Sequence, residues 1–341
     1  MNKKVKKSVA VTKKSAGKAN GKSPLKLFFK SLRVTLVYLL ALYGAHTLTG
    51  QFNVSYRKAA DSYLQKIWKS FSSSAKTVED KISPLPTIII KSPADLHKTA
   101  YDNLKIGVPS YDCTIIVDRP GYALGYSEEH EQALWVIYKL TADEVKNKKA
   151  RRTDDFRSDP AIPGGSAEPE DYKRSFFDRG HLAPAADMGF SLQAMSESFY
   201  MSNMSPQRPE LNRGIWKDLE EKVRDYALAN DALYVVTGPI FNPEKQRVTI
   251  GKNQVTVPEK YFKVLLATDS RSPKAIGFII DNRSDGSKKL ADYAVSVNAV
   301  ESITGLDFFS ELAPEDEERL ENQCNFSQWE RSLPFTKWFK K

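Results

Sequence analysis

The middle of this sequence predicts an α+β domain, on three observations. From about residue 111 the chain runs in short β-rich segments punctuated by Gly and Pro. The stretch Leu211 to Tyr226 keeps Leu211, Ile215, Leu219 and Val223 at i, i+4 spacing, the stripe of an amphipathic helix. A second helical stretch, Val295 to Ile303, follows the last strand and stops at Gly305.

What precedes that domain is of another kind. Residues 1–33 carry ten Lys, one Arg and no acid, which leaves residues 34–341 at a net −2 out of a total of +9. The basic excess therefore belongs to a tail, and bulk charge gives no argument that the body binds a polyanion. Residues 1–26 hold too few apolar side chains to drive folding and are expected to be disordered. The apolar run from Val34 to Ala45 is shorter than the roughly 20 residues of a usual spanning helix. Behind a positive segment it fits a signal-peptide core or, with its flanks, an uncleaved signal anchor over residues 34–50. Positive-inside logic would then leave the tail in the cytoplasm and the rest outside, attached to a membrane. A Lys-rich mitochondrial import signal is the weaker alternative.

Residues 51–110 read as a stalk helix, with Tyr56, Tyr63, Ile67 and Phe71 on one stripe, and a Pro-broken linker from Ser83 onward. Strands are expected at Thr114–Val117, Gly121–Tyr126 and Gln132–Thr141, the last with Leu134, Val136, Tyr138 and Leu140 on one face. A polar loop over 143–175 carries Arg151, Arg152 and Arg157. Ser198–Asn203 is a short strand candidate, and strands follow at Ala232–Thr237, Tyr261–Ala267 and Lys274–Ile280. The charged stretch 311–341 is expected to wrap the periphery. Cys113 and Cys324 have no metal-binding spacing; one disulfide and two free thiols are both open.

The chemistry concentrates in Asp178-Arg179-Gly180-His181. Only four histidines occur, and only His181 stands among other reactive side chains. Cleaving a phosphodiester needs a base near neutrality to activate water and a cation for the charge gathering on phosphorus. On a strand, Arg179 and His181 fall on one face, and Gly180 allows a phosphate or a neighbouring backbone close. Taken alone, the motif fits a buried histidine beside a structural Asp178–Arg179 ion pair equally well. A second segment, Asn203 to Glu220, adds oxygen donors. On one continuous helix Asn212 and Glu220 would lie broadly on one side and ~12 Å apart. Asn212 could thus hold a metal while Glu220 orients a water; a helix cap and a solvated face are the plain alternatives.

Together, Phe177 to Asp187, Asn203-Met204-Ser205-Pro206-Gln207, Asn212, Trp216 and Leu219-Glu220 resemble the DNA/RNA non-specific endonuclease family, the ββα-metal group that includes the endonuclease G type. The resemblance covers roughly residues 111–310. It implies a central antiparallel sheet flanked by helices, with a β-hairpin-plus-helix finger holding one Mg²⁺, or Mn²⁺ as a substitute. It implies His181 as general base, Asn212 as direct metal ligand, Glu220 as a water and metal partner, Arg179 on the phosphate, and Asn203 supporting the histidine or metal. Arg152, with Arg151 as its rival, would be the upstream phosphate contact. Asp178 would be structural, locking the loop. The implied activity is Mg²⁺-dependent hydrolysis of DNA and RNA without sequence preference, leaving 5′-phosphates. A catalytically silent nucleic-acid- or partner-binding module on the same fold is the alternative. A homodimer is left open, and no inhibitor is implied.

Overall fold

Ten residues rich in β-branched and aromatic side chains, Gln132–Thr141 (β4), form the longest strand and the axis of the molecule. The computed structural model describes residues 88–90, 101–110, 112–113, 115–268, 272–284 and 286–333. The expected tail, membrane or signal segment and stalk helix lie outside the described residues.

Around β4 stand Ile88–Ile90 (β1), Ile115–Asp118 (β2), Ala123–Ser127 (β3), Ala232–Ile240 (β7), Lys260–Ala267 (β10), Lys274–Asp281 (β11) and Ala294–Val295 (β12). They make one eight-stranded sheet in the order β1-β2-β3-β4-β7-β10-β11-β12, antiparallel at every pairing. Two small ribbons lie apart: Asp178–His181 (β5) with Met204–Gln207 (β6), and Thr249–Ile250 (β8) with Val255–Thr256 (β9). The helices are Ala142–Lys146 (α1), Leu192–Glu197 (α2), Pro209–Arg213 (α3), Ile215–Ala229 (α4), Val297–Thr304 (α5), Pro314–Glu321 (α6) and Phe326–Arg331 (α7). The predicted α+β class with a central antiparallel sheet is what forms.

Both faces of the sheet are covered, so β4 buries both of its alternating rows. Val136, Tyr138 and Leu140 join Trp216, Leu219 and Val223 of α4 in one core. Trp135 and Ile137 join Val297 and Val300 of α5 in the other. The expected single apolar face of β4 is therefore corrected to two: Leu134 packs with the second core, beyond the shift in β3–β4 register at Gly125 and Tyr126. Thr141 then ends the strand and opens α1 by a capping box with Glu144.

Three further expectations change. The proposed linker enters the fold: β1 pairs along β2, and Leu104, Ile106 and Val108 are buried in the second core. Ser198–Asn203 is not a strand, because Ser191 caps α2 and the chain leaves it through a 3₁₀ turn at Met201–Asn203; the strand begins one residue later, at Met204. The helix expected over 211–226 is two, broken at Gly214, where a side-chain Cβ would lie 2.5 Å from the Glu210 carbonyl oxygen. The wrap at 311–341 reaches inside: Trp329 is fully buried and meets the Tyr226 ring of α4 at 5.1 Å, tilted by 60°. Cys113 and Cys324 are free thiols.

Candidate active site

The site is built on the β5–β6 ribbon. Its register pairs Asp178 with Gln207, Arg179 with Pro206, Gly180 with Ser205 and His181 with Met204. Gly180 owes its identity to this pairing, because a Cβ there would sit 2.3 Å from the Gln207 side chain. The space expected for a phosphate or a neighbouring backbone is filled by Gln207 instead.

Alternation along β5 puts Arg179 and His181 on one face, as the spacing predicts. Both meet Phe156: the Arg179 guanidinium lies over its ring at 3.9 Å, and the His181 ring approaches it edge-on at 5.9 Å. Phe199 closes on His181 from another side at 5.0 Å, perpendicular. The imidazole is 9% exposed, and its Nε2 has no hydrogen-bond partner. Burial, with the positive fields of Arg152 and Arg179, pushes His181 down to about 3, so the ring is neutral at physiological pH. The uncommitted nitrogen can accept a proton, but a value of about 3 lies well below the near-neutral base that the reaction calls for.

The loop carrying Arg152 and Phe156 is held by Arg157. Its guanidinium donates to the Ser196 carbonyl at 3.0 Å and the Ser196 hydroxyl at 2.9 Å, and lies over the Tyr200 ring at 4.1 Å. Arg119 and Asp159 form a fully buried ion pair in which Arg119 Nη2 reaches both carboxylate oxygens at 2.6 Å. Arg152 stretches over Phe199 at 4.9 Å and bonds Asp154 through Nε at 2.7 Å. A cleft of about 590 Å³ results, whose lining includes Arg152, Phe156, Phe177, Asp178, Arg179 and Asn212. Arg152 is among the lining residues and Arg151 is not.

Asn212 stands on α3. Its Nδ2 donates to Asp178 Oδ2 at 2.9 Å, which leaves the carbonyl oxygen of the amide uncommitted. Asp178 also receives Arg213 at 2.8 and 2.6 Å. Burial alone would raise its carboxyl, but these bonds outweigh that and hold it below the usual carboxylate range. The ion pair imagined between Asp178 and Arg179 is therefore with Arg213, while Arg179 is spent on the aromatic ring.

Glu220 belongs to α4, beyond the break at Gly214, so the single-helix relation to Asn212 does not hold. It is half-buried. Burial raises its carboxyl above the usual range, opposed chiefly by Lys263, while burial lowers the Lys263 ammonium, opposed by Glu220. Lys263 is fully buried, donates to Thr237 Oγ1 at 2.6 Å and lies over Trp216 at 4.9 Å.

Asn203 does not join the cleft. Its amide accepts from Ala183 N at 2.9 Å and donates to the Ala183 and Ser198 carbonyls at 2.9 and 2.8 Å. It thus ties the chain after His181 to the turn before β6. Its support for the histidine, expected from the resemblance, is through backbone and not through contact with the imidazole. Phe156 and Phe199 escape the sequence reading, as nothing in their local spacing marks them as walls of a site, while Arg157, one of the loop arginines the sequence singles out, holds the loop and does not line the cleft.

Among the described residues no three His, Cys, Asp or Glu side chains gather as a metal-binding group. Asn212 offers the cleft one carboxamide oxygen, a donor that fits a hard ion keeping most of its water, while Glu220 is not among the residues lining that cleft.

The family model described as DNA/RNA non-specific endonuclease matches residues 100–315. A mitochondrial nuclease EXOG of Xenopus laevis is 38% identical over 204 residues, covering 56% of this chain and 57% of that protein. Human mitochondrial endonuclease G is 34% identical over 215 residues, covering 60% of this chain and 72% of that protein. A nuclease of a Nostoc species is 33% identical over 215 residues, covering 76% of its own length. Among solved structures, the complex of EndoG with EndoGI, described as showing the mechanism of EndoG inhibition, superposes with a TM-score of 0.57 at 29% identity, over 66% of this chain and 95% of that one. The match spans less than two-thirds of the EXOG relatives' own length.

Proposed function

Because this chain belongs to the DNA/RNA non-specific endonuclease family, we propose that it is a metal-dependent nuclease hydrolysing phosphodiester bonds of DNA and RNA without sequence preference. The observation that carries the proposal is the buried His181 on the same strand as Arg179 and within the positive fields of Arg179 and Arg152, two residues that line the cleft with Asn212 while His181 itself does not. His181 takes the proton of the attacking water. Arg179, braced on Phe156, meets the non-bridging oxygens of the scissile phosphate, and Arg152 holds the neighbouring stretch of backbone. Contacts of this kind read phosphate rather than base, which is why no sequence preference is expected.

Asn212 would hold one Mg²⁺ through its free amide oxygen, with Mn²⁺ as a substitute, and Glu220 would orient water beside it. When bound, such an ion supplies charge for the phosphorane and for the departing 3′-oxygen, which leaves 5′-phosphate products. Asn203 acts on His181 only through the backbone it ties.

The Lys-rich, acid-free tail and the apolar run behind it support a nuclease domain outside the cytoplasm, exported or membrane-attached, and the mitochondrial names of the EXOG and endonuclease G relatives favour the alternative of mitochondrial import. Fractionation of intact cells or organelles with added protease tests this: a nuclease domain found beside the cytosolic nucleic acid would overturn it.

The activity is tested with plasmid and total RNA as substrates for the full chain, with Mg²⁺ and with a chelator, against His181→Ala. Degradation should require the ion, act on both polymers, and fall at least about a hundredfold in the variant. Equal rates from the two proteins would remove His181 from the mechanism.

A further inference from the structure

A second, larger cleft of about 980 Å³ adjoins the catalytic one, and Phe177 lines both. It is furnished with rings and cations. His130 and Phe241 stack with centroids 3.9 Å apart and planes 10° from parallel. Thr256 Oγ1, 3.1 Å from His130 Nδ1, steadies the imidazole, and burial keeps it more readily neutral than a free histidine. Arg208, the residue that opens α3, lies over the Phe177 ring at 5.4 Å. Lys260 and Arg283 also line the cleft, and among the described residues neither forms an ion pair, whereas Lys245 and Arg247 are paired with Glu259 and Glu129.

Phe176 precedes Phe177 in the chain and lies outside the lining of both clefts, at their rim. It is 90% exposed and holds a left-handed backbone, φ +68°. For a bulky side chain that conformation is strained. The Ser175 hydroxyl holds the turn, donating to the Tyr172 carbonyl at 2.8 Å and accepting from Phe177 N at 3.2 Å. Neither the strain nor the exposed ring is offset by packing, so the fold alone gives no reason for an aromatic at this position.

We infer that the second cleft is a subsite for an unpaired segment of the substrate strand, whose bases stack on the Phe176 and His130–Phe241 rings while its phosphates follow Arg208, Lys260 and Arg283. The inference rests on the nuclease reading above and adds a preference to it. Bases inside a duplex are already stacked on their neighbours and offer no face to a side chain; splayed bases do. Aromatic stacking with a cationic track is how sequence-tolerant sites hold single strands. A cleft of this size lies at the large end of the roughly 300–1,000 Å³ that enclose small ligands, which suits a strand segment better than one ion.

The test is binding, read by fluorescence anisotropy without added metal, on the full chain carrying His181→Ala. The probes are a labelled oligothymidine and a hairpin duplex. Adding Phe176→Gly, or separately Arg208→Gln, is expected to weaken oligothymidine binding about tenfold and leave duplex binding unchanged. Phe176→Gly relieves the strained turn, so its thermal midpoint should stay at or above the parent's, separating lost binding from lost folding. Unchanged oligothymidine affinity in both variants, or equal weakening on the duplex, overturns the subsite. A parent that binds neither probe overturns the nuclease reading and the subsite with it.

Discussion

The Asn212 amide donates from Nδ2 to Asp178 Oδ2 at 2.9 Å, and that bond decides which end of the amide faces outward. The first residue of the Asp178-Arg179-Gly180-His181 motif thus orients a residue on a different element, while the last is the proposed base. On the proposed reading, in which Asn212 holds the ion, Asp178 would be the residue that positions that ligand. Partners of this kind commonly set metal affinity by 10–100-fold. Asp178→Ala should therefore raise the Mg²⁺ concentration for half-maximal nuclease activity by about that factor, with the rate partly recovered at high Mg²⁺. Initial rates against Mg²⁺ concentration check it. An unchanged metal requirement would show that Asn212 needs no such clamp.

The neutral state of His181 carries a stability cost in acid. Its ordinary value of 6.5 is pushed to about 3 by burial and by Arg152 and Arg179. Between those values the unfolded chain binds a proton that the folded chain refuses, so the group's contribution is fully present above about 6.5 and is lost as pH falls toward 3. His181→Asn removes this titration. The variant should lose less stability than the wild type between pH 7 and about pH 4.5, measured as the urea midpoint at each pH. Parallel losses in the two proteins would contradict a buried, neutral imidazole.

Gly180 and Gln207 occupy one volume between them. A Cβ on Gly180 would fall 2.3 Å from Gln207 Cδ, far inside contact distance. Overpacking of this kind typically costs about 1–3 kcal/mol. Gly180→Ala should destabilise by that amount and misalign Arg179 and His181, lowering nuclease activity with it. Shortening the opposing side chain in Gly180→Ala/Gln207→Ser should recover much of the lost stability. Denaturation of the two single variants and the double variant checks the coupling. Simple additivity would mean that the ribbon shifts without meeting Gln207.

Six strands, β2, β3, β4, β7, β10 and β11, are legible because their alternation and turn residues are local, and β4 begins and ends where the sequence puts it. The β5 pair, Arg179 and His181, was legible for the same reason. What could not be read locally depends on partners distant in the chain. Phe199 becomes a wall of the site only because Arg157 ties its loop to Ser196 and Tyr200. Residues 88–90 and 104–108 read as linker because they are short pieces in a Pro-broken stretch, although Leu104, Ile106 and Val108 alternate; an edge pairing and a buried face absorb them. The helix over 211–226 read as continuous because its apolar stripe survives the break at Gly214. Asn203 was assigned by motif to the chemistry, and its three backbone bonds show a side chain spent on holding the chain.

The C-terminal stretch illustrates the same limit and gives the last prediction. Charged and sparse in apolar residues, it looked peripheral, yet α7 delivers Trp329 fully buried against Tyr226. The neighbouring Glu330 accepts from Lys222 Nζ at 2.9 Å and from the Tyr226 hydroxyl at 2.6 Å, so polar bonds fix the helix where the indole enters. Both partners belong to α4, the helix of Glu220. Trp329→Ala should cost about 3–5 kcal/mol, as removal of a buried large aromatic does. Glu330→Gln keeps the shape and should cost far less, about 1 kcal/mol. Thermal melts of both variants, with Mg²⁺-dependent rates measured well below their midpoints, separate stability from chemistry. If Trp329→Ala melts like the wild type, α7 is not part of the core that carries α4.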